Sequence, residues 1–421
     1  MMFLSLVGLP VVLLFLGVPV FAALMAAVLV TMVFFTSMPI VALQQIMFGS
    51  LDKFSLIAIP FFIFAGEMMG VGGISRRIIN WVLSMFGGLR GGLPVTTVGA
   101  STCFGAISGS SPATVAAIGR LLYKPLLDKG YDKSFAAGLI TSSGAIAIVI
   151  PPSVAMILYG IAAEQPITKL FIAGILPGLL LATILSAYLY VTDRSTRENK
   201  TERLSFLSAT KEGFWALCAP VLVLGGIYLG VFSPTEAGGL ASVYAIIVSV
   251  LVYREATWRD VLLVAGSAAM LTAQVMLIIA AAGAYSWLLT VNGIPQHVTN
   301  VLGALDENPA AFLILVNLLF LAVGCVLDPN SAILVLAPLL VPVAITMGID
   351  PIHLGIIMTV NLSIGMFTPP FGLNIFVAQA VLNVPPTTIY KGIIPFLLLN
   401  LLALLVITFV PEVSLFLTHH L

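Results

Sequence analysis

The sequence predicts an all-α polytopic membrane protein made of two inverted repeats, and three observations carry that reading. The first is composition: 60% of the 421 residues are hydrophobic and only 8% are charged. Soluble domains carry about 25% charged residues, and the mean hydropathy here is +1.16, so a water-soluble globular enzyme is excluded. A spanning helix takes about 20 apolar residues, which leaves room for roughly ten to fifteen crossings. The second observation is an internal repeat, and the third is a one-sided distribution of basic charge.

The repeat is marked by Gly, Asp and Pro. Pro112 and Pro125 are 13 residues apart, as are Pro329 and Pro342. Gly130, Asp132, Pro151 and Pro152 return 218 residues later as Gly348, Asp350, Pro369 and Pro370. Gly174-Ile175-Leu176-Pro177 returns at the same offset as Gly392-Ile393-Ile394-Pro395. An apolar composition alone would not hold these residues in register.

The first repeat spans 1–192. Its arm, 1–71, holds an apolar stretch broken near Gly17-Val18-Pro19, a short arm helix at 40–53 and a span at 54–69. The first 35 residues suit either two crossings or one long tilted helix. Hairpin 93–124 turns at the polar tip Ser108-Gly109-Ser110-Ser111-Pro112. Its limbs are too short to cross comfortably, so they read as re-entrant. A broken helix, 134–162, is interrupted by Pro151-Pro152, and a span at 171–191 closes the unit. A polar cytoplasmic linker occupies 193–213. The second repeat, 214–421, follows the same order. Its arm, 214–290, comprises an apolar stretch interrupted at Ser233-Pro234-Thr235, an arm helix at 258–271 and a span at 273–290. Hairpin 310–345 turns at Asp328-Pro329-Asn330-Ser331, broken helix 352–382 contains Pro369-Pro370, and a last span runs over 392–410.

About five spans per repeat is an odd number, so the second repeat enters the membrane upside down. Charge tests this. The loop holding Lys124, Lys129 and Lys133 matches 341–350, which contains no Lys or Arg. With the basic loop inside, as the positive-inside rule directs, Arg76, Arg77, Arg90, Arg120, Arg254, Arg259, Lys391 and the linker cations Arg194, Arg197, Lys200, Arg203 and Lys211 also fall inside. Only Lys53 and Lys169 of the 17 basic residues fall outside. The formal net charge of zero gives no reason to expect nucleic acid as a partner.

Inverted repeats with discontinuous helices point to a secondary transporter. A break frees backbone groups at membrane depth, where each would cost several kcal/mol against lipid, so breaks persist around a cavity or ligand. Freed carbonyls suit a small cation, and half-helix N-termini suit an anion. The first pocket would combine Ser108, Ser110 and Ser111 with Ser142, Ser143, Gly144, Pro151 and Ser153. The second would combine Gly324, Asp328, Asn330 and Ser331 with Thr359, Asn361, Gly365, Thr368, Pro369 and Asn374. Small-residue helix packing explains an isolated serine such as Ser142 better, whereas the tips and breaks taken together point to function because the feature occurs twice at equal spacing.

Asp328 is either near a cation or an N-cap, with Ser111 as its matching cap in the first repeat. Glu67 lies in an apolar run, at the cytoplasmic end of its span or on a proton path. Glu236 reads as the acid of a helix start. Cys103, Cys218 and Cys325 read as small buried hydrophobes, and the four scattered histidines have no catalytic or zinc spacing.

Ile150-Pro151-Pro152-Ser153, Leu170 to Gly178, Ser233-Pro234-Thr235-Glu236-Ala237 and Phe367-Thr368-Pro369-Pro370-Phe371-Gly372-Leu373-Asn374 together resemble the large membrane subunit of tripartite ATP-independent periplasmic (TRAP) transporters. The resemblance runs along essentially the whole chain. It implies a permease of the bacterial or archaeal cytoplasmic membrane with an elevator-type fold, in which hairpins and broken helices move together. It implies a sodium gradient as driving force and a small organic acid as cargo, such as a C4-dicarboxylate or sialic acid. The implied partners are a small four-helix membrane subunit, expected on a separate polypeptide, and a periplasmic binding protein. Sodium site 1 would comprise Ser108, Ser110, Ser143, Gly144 and Pro151. Site 2 would comprise Gly324, Asp328, Asn361, Gly365, Thr368 and Pro369. Ser110, Ser111, Ser153, Asn330 and Asn374 would face the substrate. The alternatives are a carrier of similar fold that needs no binding protein, an intramembrane enzyme and a passive channel.

Overall fold

The computed structural model describes residues 4–36, 39–89, 91–192, 205–294 and 308–420, and the regular elements among them are all helical. Leu4–Gly8 forms a π-helical turn that leads into α1 (Leu9–Phe15), and α2 (Val20–Phe35) follows. Gly17, at φ +80°, reverses the chain between them. The hydroxyls of Ser5 and Thr31 lie 2.9 Å apart, so residues 4–35 form two segments side by side, not one tilted rod. Next come α3 (Ile40–Leu51), a 3-10 turn (Phe54–Ile57), α4 (Ala58–Val71) and α5 (Ile74–Phe86).

Helices α6 (Gly92–Ser108) and α7 (Ser111–Asp128) make the first hairpin, turning at Gly109. The first broken helix consists of α8 (Lys133–Ser143), the single turn α9 (Ile146–Val149) and α10 (Val154–Ala162). It bends by 43° at a break that contains the cis peptide Pro151–Pro152. Helix α11 (Ile167–Thr192) closes this half.

Residues 193–204 of the predicted linker lie outside the described residues. Its last part is not loop: α12 (Phe206–Tyr228) already begins there. After α13 (Pro234–Ile246) comes the largest departure from the sequence reading. The predicted arm helix and span at 258–290 are one helix, α14 (Trp258–Val291), of 34 residues. In the first half Asp52 and Lys53 separate α3 from the following span. No glycine or proline intervenes around Thr272, so the i to i−4 ladder continues. At 1.5 Å per residue α14 is about 50 Å long, well beyond a hydrocarbon core of about 30 Å.

The second hairpin is α15 (Pro309–Gly324) and α16 (Pro329–Thr346). The second broken helix is α17 (Pro351–Gly365) and α18 (Leu373–Leu382), with a cis peptide at Pro369–Pro370. Helices α19 (Pro386–Phe409) and α20 (Glu412–His420) finish the chain. Among the described residues, seven helices are long and apolar enough to cross a membrane, or eight with the bent pair. Helices α15 and α17 fall just short of that length, and both lead into breaks.

Burial separates two kinds of helix. Every residue of α17 from Ile352 to Gly365 is buried, so this helix is wrapped on all sides. Tyr159 of α10 donates its hydroxyl to the carbonyl of Pro351, and a Cβ at Gly355 would lie 2.4 Å from the Tyr159 ring. Gly138 of α8 meets Gly392 of α19 so closely that a Cβ would sit 2.2 Å from the Gly392 carbonyl carbon. Helices α12 and α14 instead expose Val221, Leu262, Leu263 and Met270, the outward apolar surface of a helix that faces lipid. Helix α17 thus lies in the interior, while α15 also exposes Ile314, Leu315 and Leu318 on one side and α12 and α14 lie on the flank. Cys103, Cys218 and Cys325 are half-buried free thiols, less enclosed than expected.

At the basic end, Glu255 Oε1 accepts from Arg76 (2.7 Å) and Arg77 (2.6 Å), while the Arg77 guanidinium lies 3.6 Å from the Tyr253 ring centroid. This cluster ties the start of α5 to the turn before α14.

Candidate functional site

The two hairpin tips sit against the two Pro-Pro breaks. Gly109, at φ +57°, brings the first tip so near that a Cβ would lie 2.4 Å from the Pro152 carbonyl oxygen. Only glycine meets both demands there. Ser110 caps α7 from the tip, accepting from the Ala113 amide at 3.5 Å. Ser153 caps α10 from the break, accepting from the Met156 amide at 3.5 Å, and is fully buried. Two helix N-termini therefore open beside each other, each with a serine at its mouth. Pro112 at the second helical position makes Ser110 the cap and not Ser111, as the repeat register had suggested.

The other predicted members of the first cluster are also near this junction. Ser108 ends α6 and packs against Gly66 of α4, where a Cβ would lie 3.1 Å from Ser108 Cα. Ser143 ends α8, with its hydroxyl 3.1 Å from that of Ser101. Gly144 lets α7 approach: a Cβ there would sit 2.4 Å from Val115 Cγ2. Pro151 is buried within the break. Ser142 turns its hydroxyl back to the Gly138 carbonyl at 2.7 Å and is satisfied within its own helix.

The second cluster repeats the tip-on-break contact with other atoms. A Cβ on Gly365 would come within 2.4 Å of the Gly324 backbone, so α15 and α17 touch through two glycines. The Gly372 amide donates to the Cys325 carbonyl at 3.2 Å, joining tip and break directly. Asp328 caps α16: Oδ2 accepts from the Ser331 amide at 3.1 Å and Oδ1 from the Ser331 hydroxyl. Thr368 donates to the Ile364 carbonyl at 2.7 Å and is half-buried beside Pro369. Asn330 is half-buried on the first turn of α16. Thr359 bonds the Gly355 carbonyl at 2.7 Å, away from the tip.

Asn361 is different. It is fully buried, and its amide nitrogen donates to Asn317 Oδ1 and, at 2.9 Å, to the Ile357 carbonyl. Its Oδ1 has no partner. A buried carbonyl oxygen without a donor carries a desolvation cost of about 1–3 kcal/mol, one that a cation or water would offset.

The clusters are interlocked across the halves, which the sequence did not indicate. The Ser111 hydroxyl lies 2.9 Å from Asn374 Oδ1 and 2.7 Å from Asn374 Nδ2. The same amide nitrogen reaches the Thr141 carbonyl at 3.2 Å. Ser101, Thr141 and Asn317 join the site from outside the predicted clusters. Asn317 had a signal: an amide inside an apolar run is expensive and needs a partner.

Residues 7–413 match the model of the Tripartite ATP-independent periplasmic transporter, DctM component. The isethionate TRAP transporter permease protein DctMQ of Oleidesulfovibrio alaskensis is 41% identical over 95% of this chain, which spans 64% of that protein's length. The C4-dicarboxylate TRAP transporter large permease protein DctM of Rhodobacter capsulatus is 39% identical over 97% of both chains. The solved structure of the Alcanivorax borkumensis YdaH transporter shares the fold, with a TM-score of 0.58 over 86% of each chain at 15% identity.

Proposed function

The chain belongs to the DctM component family of tripartite ATP-independent periplasmic transporters, and from that premise we propose that it drives sodium-coupled uptake of a small organic acid. It is a multi-pass protein of the bacterial inner membrane and a transport permease, not an enzyme. In this reading it receives cargo from a periplasmic binding protein and works beside a small four-helix membrane subunit. The cargo is a carboxylate of the C4-dicarboxylate or sialic acid kind.

The observation that carries the proposal is the pair of tip-on-break junctions, Gly109 on Pro152 and Gly324 on Gly365. Each gathers helix ends, small residues and hydroxyls at one spot in the interior. Sodium prefers several hard oxygens and tolerates carbonyls. Ser108, Ser110, Ser143, Gly144 and Pro151 supply such a set for a first ion. Gly324, Asp328, Asn361, Gly365, Thr368 and Pro369 supply one for a second, with the buried Asn361 Oδ1 unpaired to any protein donor. The carboxylate cargo is assigned to the mouths of α7 and α10, near Ser110, Ser111, Ser153, Asn330 and Asn374, where helix N-termini carry partial positive charge. The two halves act as inverted repeats, and the hairpins and broken helices move as one body against α12 and α14.

The test is reconstitution. Liposomes holding this chain and its small subunit should take up organic acid only with an inward sodium gradient and the cognate binding protein. Uptake by this chain with no binding protein would support the simpler carrier instead.

A further inference from the structure

We propose that a cavity at the outer face, between α3, α10, α14 and α16, is a second binding site for a small dipolar solute, with a carboxylate at one end and a cationic nitrogen at the other. The cavity measures about 270 Å³, close to the lower end of the ~300–1,000 Å³ typical of small-molecule sites. None of the hairpin-tip or Pro-Pro residues lines it. It lies on the outer side in the topology set by the basic residues, and only in that does it rest on the transport reading.

Its wall carries one charge of each sign. Lys53 follows α3, and its ammonium donates to the Ile161 carbonyl at 3.3 Å, which holds it at the cavity edge. Glu164 lies in the turn after α10, in a left-handed conformation at φ +54°. Among the described residues the ion pairs are those of Glu255 with Arg76 and Arg77, so neither Lys53 nor Glu164 has a side chain of opposite charge within 4 Å. Ser286 and Trp287 also line it, as does Ser50, whose hydroxyl donates to the Ile46 carbonyl at 2.8 Å. An anion alone would meet the Glu164 carboxylate, and a cation alone the Lys53 ammonium. A dipolar solute satisfies both, and Trp287 offers an aromatic face to its cationic end. The occupant would bridge α3 and α14 to α10 and α16.

Equilibrium dialysis tests this on the full chain in phosphatidylglycerol nanodiscs, with no sodium gradient and no binding protein. The probes are 4-aminobutyrate, glycine betaine, succinate and choline. Saturable binding of at least one dipolar probe is expected, with succinate and choline at least tenfold weaker. Lys53→Gln and Glu164→Gln, both at exposed positions, should each weaken the dipolar probe at least tenfold. Adding phosphatidylethanolamine, whose headgroup pairs a phosphate with an ammonium, tests for a lipid occupant: no competition supports the small solute, and competition overturns it in favour of a lipid headgroup. Absence of dipolar binding, equal binding of succinate or choline, or wild-type binding in both variants overturns the proposal. Because no gradient is involved, a loss of coupled uptake with intact probe binding counts against the transport reading alone.

Discussion

Ser111 and Asn374, 263 residues apart, form a buried hydroxyl–amide pair at 2.7–2.9 Å that fastens the first hairpin to the second broken helix. The Asn374 amide also bonds the Thr141 carbonyl on the first broken helix. Three of the four discontinuous elements thus meet at one side chain.

Asn374→Ala would leave both the Ser111 hydroxyl and the Thr141 carbonyl without this partner. The expected loss of stability is about 1–3 kcal/mol, read by thermal unfolding in detergent. Ser111→Ala should cost less. A double-mutant cycle should return a coupling of about 0.5–3 kcal/mol; additive losses would show that the pair does not act as a unit.

The glycine contacts are graded. Gly365→Ala drives a Cβ to 2.4 Å from the Gly324 carbonyl carbon, whereas Gly324→Ala brings one only to 3.2 Å from Gly365 Cα. Gly365→Ala should therefore abolish uptake or folding, with Gly324→Ala milder. Gly225 has nothing within 4 Å, so Gly225→Ala should be neutral or stabilise its helix by about 0.5–1 kcal/mol. Expression level and thermal midpoint order the three variants.

Asp328 holds the start of α16 through both carboxylate oxygens. Asparagine is as good an N-cap, while alanine costs about 0.5–2 kcal/mol. Asp328→Asn should keep the thermal midpoint but raise the sodium concentration for half-maximal uptake about tenfold, equivalent to about 1.4 kcal/mol of binding. Asp328→Ala should lower both stability and uptake, and more than Glu236→Ala, because Glu236 serves an exposed capping box with Ser233. An unchanged sodium response in Asp328→Asn would reduce its role to capping.

At the basic end, Glu255→Gln removes the charge shared by Arg76 and Arg77. These groups are partly exposed, so the loss should be small, about 0–1 kcal/mol. It should shrink further in high salt, which a thermal midpoint measured at two ionic strengths would reveal.

The elements marked by local chemistry were legible in the sequence. The doublets Pro151-Pro152 and Pro369-Pro370 interrupt helices, and a Ser or Asp within two residues before a proline caps the next helix at each tip, so tips and breaks could be placed from residues alone. What escaped depends on distance in the chain. The Ser111–Asn374 pair and the Gly138–Gly392 contact join residues far apart and leave no local trace. The continuity of α14 is not legible locally, because the second half lacks the Asp52-Lys53 interruption that separates α3 from the next span in the first. The cap at Ser110 was displaced by one residue because Pro112 sits second in α7, whereas Pro329 sits first in α16. Asn317 could have been flagged, since a lone amide among apolar residues must find a partner.

The most direct measurement is the sodium response of uptake in proteoliposomes carrying Ser110→Ala together with Asn330→Ala, beside the unaltered chain, with binding protein and small subunit supplied to both. The account predicts a clear weakening of sodium dependence in the double variant, with stability lowered by no more than the loss of the Ser110 cap, about 0.5–2 kcal/mol. An unchanged sodium response in a folded double variant would remove the hairpin tips from the coupling sites.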